Sequence, residues 1–183
     1  MRRRLLVGLT VLLLLGGGAA WALSATPTLQ SSGPVTVEGV EASAAFVVGD
    51  RTIRQVRYAD RGILRYGFAL HNPGHLEVSI LGLVDPAHEA TLLRPQRLVD
   101  ARGSTHLTLG SEASEEVVLE VLMTDCERLS ARASSLISEV SVRVEGLGGR
   151  EHVIAVPLPQ ELRTGSAREM HCPRATASSR PPG

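Results

Sequence analysis

The chain has 183 residues, 43% of them apolar and only 3% aromatic, with 19 basic and 19 acidic side chains that cancel formally. That length admits one domain plus extensions, and roughly 125 residues between the two ends suffice to bury about two-thirds of their unfolded surface in one core. All 19 basic residues are arginine and three of them fall within the first four positions. The remainder is therefore mildly acidic, which disfavours nucleic acid as a partner, because a phosphate backbone demands net positive charge.

Arg2, Arg3 and Arg4 precede an uncharged run over residues 5–23, from Leu5 through Leu15 to Trp21 and Leu23. A helix of that length spans about 28 Å, close to the roughly 30 Å apolar core of a bilayer. The arginines would stay on the cytoplasmic side, everything after Leu23 would lie outside, and Trp21 would sit at the outer interface. The same run also fits a cleaved signal peptide. Its strongest part, residues 5–15, has the length of an h-region, Gly16, Gly17 and Gly18 weaken the helix, and Ala22-Leu23-Ser24 has the small-x-small pattern of a cleavage site. Both readings stand: a single-pass membrane protein with its C-terminal domain outside, or a secreted one. Thr26 occupies the position at which a lipoprotein would carry its cysteine, so lipidation is not expected.

Residues 1–25 are thus an anchor or signal, and residues 26–34, small, proline-bearing and uncharged, read as a flexible linker. The domain is expected over residues 35–160. Short strands are predicted at 35–40, 45–48 and 53–58. Next comes the clearest signal in the chain, in which Leu64, Tyr66, Phe68 and Leu70 alternate with other side chains, and Leu76, Val78 and Ile80 do the same beyond Asn72-Pro73-Gly74. Period-2 alternation marks strands with one buried face. The joint is a turn, since Pro73 fixes φ and restricts Asn72 while Gly74 supplies positive φ. A two-residue Pro-Gly hairpin would set Leu70 against Glu77 and mix the faces, so a clean core requires either a three-residue loop or strands that part into different sheets, and parting strands, as in a sandwich, are the expectation.

Residues 92–99 carry Pro95, which predicts an edge strand or a loop. Strands follow at 105–109, at 116–123 with Val117, Leu119, Val121 and Met123 on one face, and at 137–145 and 151–156 around a glycine-rich hairpin turn at 146–149. Residues 126–136 lack alternation and suit a helical turn. Residues 161–183 form a tail, partly tethered if a disulfide forms, with a disordered end. The five aspartates, Asp50, Asp60, Asp85, Asp100 and Asp125, fall at strand ends without the spacing of a calcium loop, so turn chemistry explains them.

The segment Phe68-x-Leu70-x-Asn72-Pro73-Gly74, followed by Leu76-x-Val78-x-Ile80-x-Gly82-Leu83, resembles the strand, Asn-Pro/Gly, strand signature of immunoglobulin-like ectodomains. Among these are membrane-anchored proteins of high-GC actinobacteria and, more remotely, the water-stress (WHy/LEA) sandwiches. The resemblance implies an architecture and carries no activity with it. Together with seven to nine predicted strands it points to an all-β fold, an immunoglobulin-like antiparallel β-sandwich preceded by one N-terminal hydrophobic helix.

Cys126 and Cys172 would lie in an oxidising compartment, where pairing is the default. The bridge would close a loop of about 46 residues and contribute roughly 4 kcal/mol in the chain-entropy model. The other reading is a soft-metal site in which Cys126, Met123, Met170, His171 and Cys172 bring sulfur near sulfur. His71 and His75 flank the turn and would stand about 5 Å apart at Cβ in a three-residue hairpin, yet two ligands lack the third and fourth that a zinc site needs. The sequence contains no G-x-S-x-G elbow, P-loop, C-x-x-C or H-E-x-x-H. The expectation is a non-enzymatic extracytoplasmic interaction or structural module without cofactor, held by the membrane or secreted, using loops or a sheet edge on an unknown protein partner. A copper-type carrier using the Cys, Met and His cluster is the alternative, and a hydrolase comes third.

Overall fold

The computed structural model describes residues 26–84, 91–124, 135–146 and 148–164, and the regular structure within them is all β. Ten strands follow one another: β1 (Gln30–Glu38), β2 (Ser43–Val48), β3 (Arg51–Val56), β4 (Ile63–His71), β5 (Val78–Leu83), β6 (Leu93–Asp100), β7 (Leu107–Leu109), β8 (Ser114–Met123), β9 (Leu136–Glu145) and β10 (Glu151–Thr164). They form a four-stranded sheet in the order β1-β4-β8-β6 and a six-stranded sheet in the order β2-β3-β10-β9-β5-β7.

Alternation built these strands where the sequence shows it. Leu64, Tyr66, Phe68 and Leu70 of β4 are buried beside Val117, Leu119 and Val121 of β8, with Tyr66 opposite Leu119. Val140, Val142 and Val144 of β9, Val78 and Ile80 of β5, and Val156 and Leu162 of β10 meet them in one cluster. Each such side chain contributes about 1.5–3 kcal/mol over an exposed position. The two strands around Asn72-Pro73-Gly74 do part, β4 into the four-stranded sheet and β5 into the six-stranded one. Residues 146–149 close the β9–β10 hairpin, the Gly146 N–H donating to the Arg150 carbonyl at 3.1 Å and Gly148 and Gly149 supplying positive φ.

Three expectations change. The six-stranded sheet is mixed rather than antiparallel, because Glu161–Thr164 of β10 run parallel to Ile53–Val56 of β3. A register break between Pro157 and Leu162 directly precedes this stretch, in which β10 pairs with β9 on one side and β3 on the other. The first strand begins at Gln30, inside the stretch expected as a linker. Leu29 is buried and Gln30, Ser31 and Ser32 pair with His71, Leu70 and Ala69, a seat that composition alone does not announce. The last strand runs to Thr164, past the expected boundary at 160. The apolar segment 1–25, Asp85, Asp125, Cys126 and the tail residues Met170, His171 and Cys172 lie outside the described residues.

Candidate functional site

The Asn72 corner is a fastening. Its Nδ2 lies 2.8 Å from the Leu76 carbonyl, 3.2 Å from that of Leu109 and 2.9 Å from that of Gly110. Its Oδ1 accepts from the Gly74 N–H at 3.0 Å, and its own N–H donates to Ala113 at 2.9 Å. Asn72 is buried, and it ties the β4–β5 corner to the β7–β8 loop. His71 is held nearby, its Nδ1 3.1 Å from the Ala113 carbonyl and 3.0 Å from Ser114 Oγ. His75 instead turns to Glu112, 3.6 Å away on the surface. Because the strands part, the hairpin that would have set the two histidines opposite each other does not form. Among the described residues no group of three His, Cys, Asp or Glu side chains could hold a metal ion.

Met123 is buried, and its sulfur accepts from the Ala59 N–H at 3.0 Å, so it is committed to the core rather than presented as a ligand. The chain positions that lead towards the two cysteines meet at one end of the sandwich. The Thr124 N–H donates to the Leu92 carbonyl at 3.2 Å and the Thr164 N–H to the Ser135 carbonyl at 3.1 Å. Ser135 Oγ in turn accepts from the Leu92 N–H at 2.8 Å. Asp100 behaves as a turn-former, its Oδ1 accepting from the Arg102 and Ser104 N–H groups, both at 2.8 Å. On the outer face of the four-stranded sheet a depression of about 250 Å³ is lined by Glu38, Arg65, Gly67 and Asp100 among others. It is shallow and falls below the roughly 300–1,000 Å³ usual for ligand sites.

The sheet edges differ more sharply. A free edge offers unpaired N–H and C=O groups, and proteins guard such edges with prolines, bulges, charges or short strands. Edge strand β1 has Pro34 and a register break between Ser32 and Thr36. Edge strand β6 has Arg94, Pro95 and Arg97, with a break between Pro95 and Arg97. Edge strand β7 is three residues long. Edge strand β2, Ser-Ala-Ala-Phe-Val-Val, has none of these devices: no charge, no proline and an unbroken register against β3 from Ser43↔Val56 to Val48↔Arg51.

All six residues of β2 are exposed, Val47 at 71% and Phe46 at 40%. The strand makes its main contacts with β3 alone, so it overhangs the four-stranded sheet. The Arg57 N–H donates to the Ala42 carbonyl at 3.0 Å, and the alternation of an antiparallel ladder then turns Ala44, Phe46 and Val48 towards β3. Ser43, Ala45 and Val47 aim their backbone groups outward. Sequence reading found a strand at residues 45–48 but not its openness. The signal was the missing alternation: a segment with no polar face and no apolar face fits a strand that no layer of the described residues covers on either side.

No family model matches the chain, and no curated protein matches it. Among solved structures, the X-ray structure of the Northeast Structural Genomics Consortium target SoR45 is similar at 11% identity and a TM-score of 0.35, over 79% of this chain and 90% of that one. A likeness of that size bears on neither fold nor function.

Proposed function

We propose that this chain is a non-enzymatic extracytoplasmic interaction module, held by the membrane through its N-terminal apolar run or secreted after that run is cleaved. Its binding element is the open edge of β2, which adds a strand from its partner by main-chain hydrogen bonds. The observation that carries this is the contrast among edges: β1, β6 and β7 are guarded and β2 is not. The immunoglobulin-like character of the sandwich, the single-pass topology and a Cys126–Cys172 bridge belong to the same reading. The bridge is supported by the junction of Thr124 and Thr164 through Leu92 and Ser135 at one end of the fold.

The test is a photo-crosslinking amino acid at Val47 of tagged full-length protein in cells, with Val153 on β10, 61% exposed, as the control position. An adduct formed at Val47 and not at Val153 supports the edge. No adduct at Val47, or equal adducts at both, overturns it.

A further inference from the structure

We infer that the strand added to β2 is β2 of a second copy of this chain, antiparallel and centred on Ala45; this rests on the reading of β2 as the binding edge. Ser43, Ala45 and Val47 carry the outward N–H and C=O groups, and a two-fold axis through Ala45 uses all of them. Ser43 then pairs with Val47 of the other copy, Ala45 with its own counterpart, and Val47 with Ser43.

Size complementarity singles out this occupant. Read from residue 42, the edge is Ala-Ser-Ala-Ala followed by Phe-Val-Val, small residues in one half and large in the other. Laid antiparallel on itself, it sets Phe46 against Ala44, Val47 against Ser43 and Val48 against Ala42. A parallel copy would crowd large against large. Phe46 pairs across β2 and β3 with the core residue Ile53, so both phenylalanines fall on the inner side of the joined sheet. They stand there as a diagonal pair at about 7–8 Å, within aromatic reach. An identical chain is also electrostatically acceptable. β2 is uncharged and Glu41 beside it is already paired with Arg57 at 2.9 Å, so no like charges face each other along the paired strands. The product is one sheet running through both copies, with an isologous interface that closes on itself.

The axis gives a specific test, because a residue placed on it meets itself. Two differently tagged forms of the full-length protein are expressed together with the photo-crosslinker at Val47, and the yield of product carrying both tags is measured. Ala45 is exposed on the outer side, across from Arg54 of β3, so Ala45→Lys and Ala45→Glu are surface changes expected to keep the fold. Each alone sets like charges directly opposite and is expected to lower the double-tag yield by about fivefold. Expressing Ala45→Lys with Ala45→Glu restores it, and the crosslink maps to residues 41–48 of the other copy. Loss without restoration, or no loss, overturns pairing with a copy. A Val47 adduct to a different protein overturns it while leaving the binding edge standing. An intrachain crosslink to residues 165–183 shows the chain's own tail on the edge, and that outcome, like the absence of any adduct, overturns both readings.

Discussion

The side chain of Asn72 joins the β4–β5 corner to the β7–β8 loop from a buried position, donating to the carbonyls of Leu76, Leu109 and Gly110, the last of which also accepts from the Ala113 N–H at 3.3 Å. Asn72→Ala is expected to destabilise the fold by about 2–4 kcal/mol, since truncation strands buried acceptors; denaturant midpoints measure it. Asn72→Asp points carboxylate oxygens at the same carbonyls, which raises the acid's folded-state pKa, so its loss should shrink as pH falls from neutrality and level off below about 4, where the acid is protonated in both states and regains one donor. Tyr66 makes the comparable link between layers. Its hydroxyl donates to the Gln160 carbonyl at 2.8 Å and accepts from the Gln160 N–H at 3.1 Å. Burial pushes the phenol up to about 12 from an ordinary value near 10. The folded state therefore holds the proton longer than the unfolded chain. Its contribution is complete below pH 10 and is lost as pH rises through 12. Alkaline unfolding should steepen across that window, and Tyr66→Phe should remove the extra slope while costing about 1–3 kcal/mol at neutral pH for the unpaired Gln160 groups.

At the scale of elements, β1 and β4 are antiparallel neighbours that approach closely at Gly67. A Cβ on Gly67 would lie 2.3 Å from Thr36 Oγ1, just where the register of β1 resumes after its bulge. Gly67→Ala is expected to cost about 1–3 kcal/mol through overpacking, and adding Thr36→Ala should recover most of that. Additive losses in a double-mutant cycle would show that the clash is not what the glycine avoids. Elements whose register depends on such points were the ones sequence reading placed least well. Strands β4, β5, β8 and β9 were legible because one face is buried and alternation records it. The Asn72 corner was legible as a turn, Pro95 as an edge marker and Asp100 as a turn-former. The start of β1 was not, because Gln30, Ser31 and Ser32 are held by backbone pairing with β4 rather than by an apolar face. The parallel seat of β10 on β3 was equally hidden, since the two pairing segments lie about a hundred residues apart and no local pattern records which distant strand a segment will join. The open edge at β2 was visible as a short strand and invisible as an edge, because openness depends on what the other described residues fail to cover.

For the whole molecule, two expected outcomes concern the segments beyond the described fold. Alkaline carbonate extraction of cell membranes should leave the full chain in the pellet if residues 5–23 anchor it, and release to the supernatant would mean cleavage of that run. Thiol labelling of protein recovered from cells under denaturing conditions should find neither Cys126 nor Cys172 reactive. Two labelled cysteines would remove the bridge and reopen the soft-metal reading.

The hairpin β2–β3 hangs on its sheet through the final stretch of β10, where Glu161–Thr164 pair with Ile53–Val56. Those partners lie about a hundred residues apart, and such contacts form late because a long loop must close before they reward it. A nascent chain emerging N-terminus first therefore has nothing on which to mount the hairpin until its distal strand arrives. If β2 is the docking edge proposed above, its presentation waits on the making of β10, and fragments ending short of β10 would carry the sequence of the edge without presenting it.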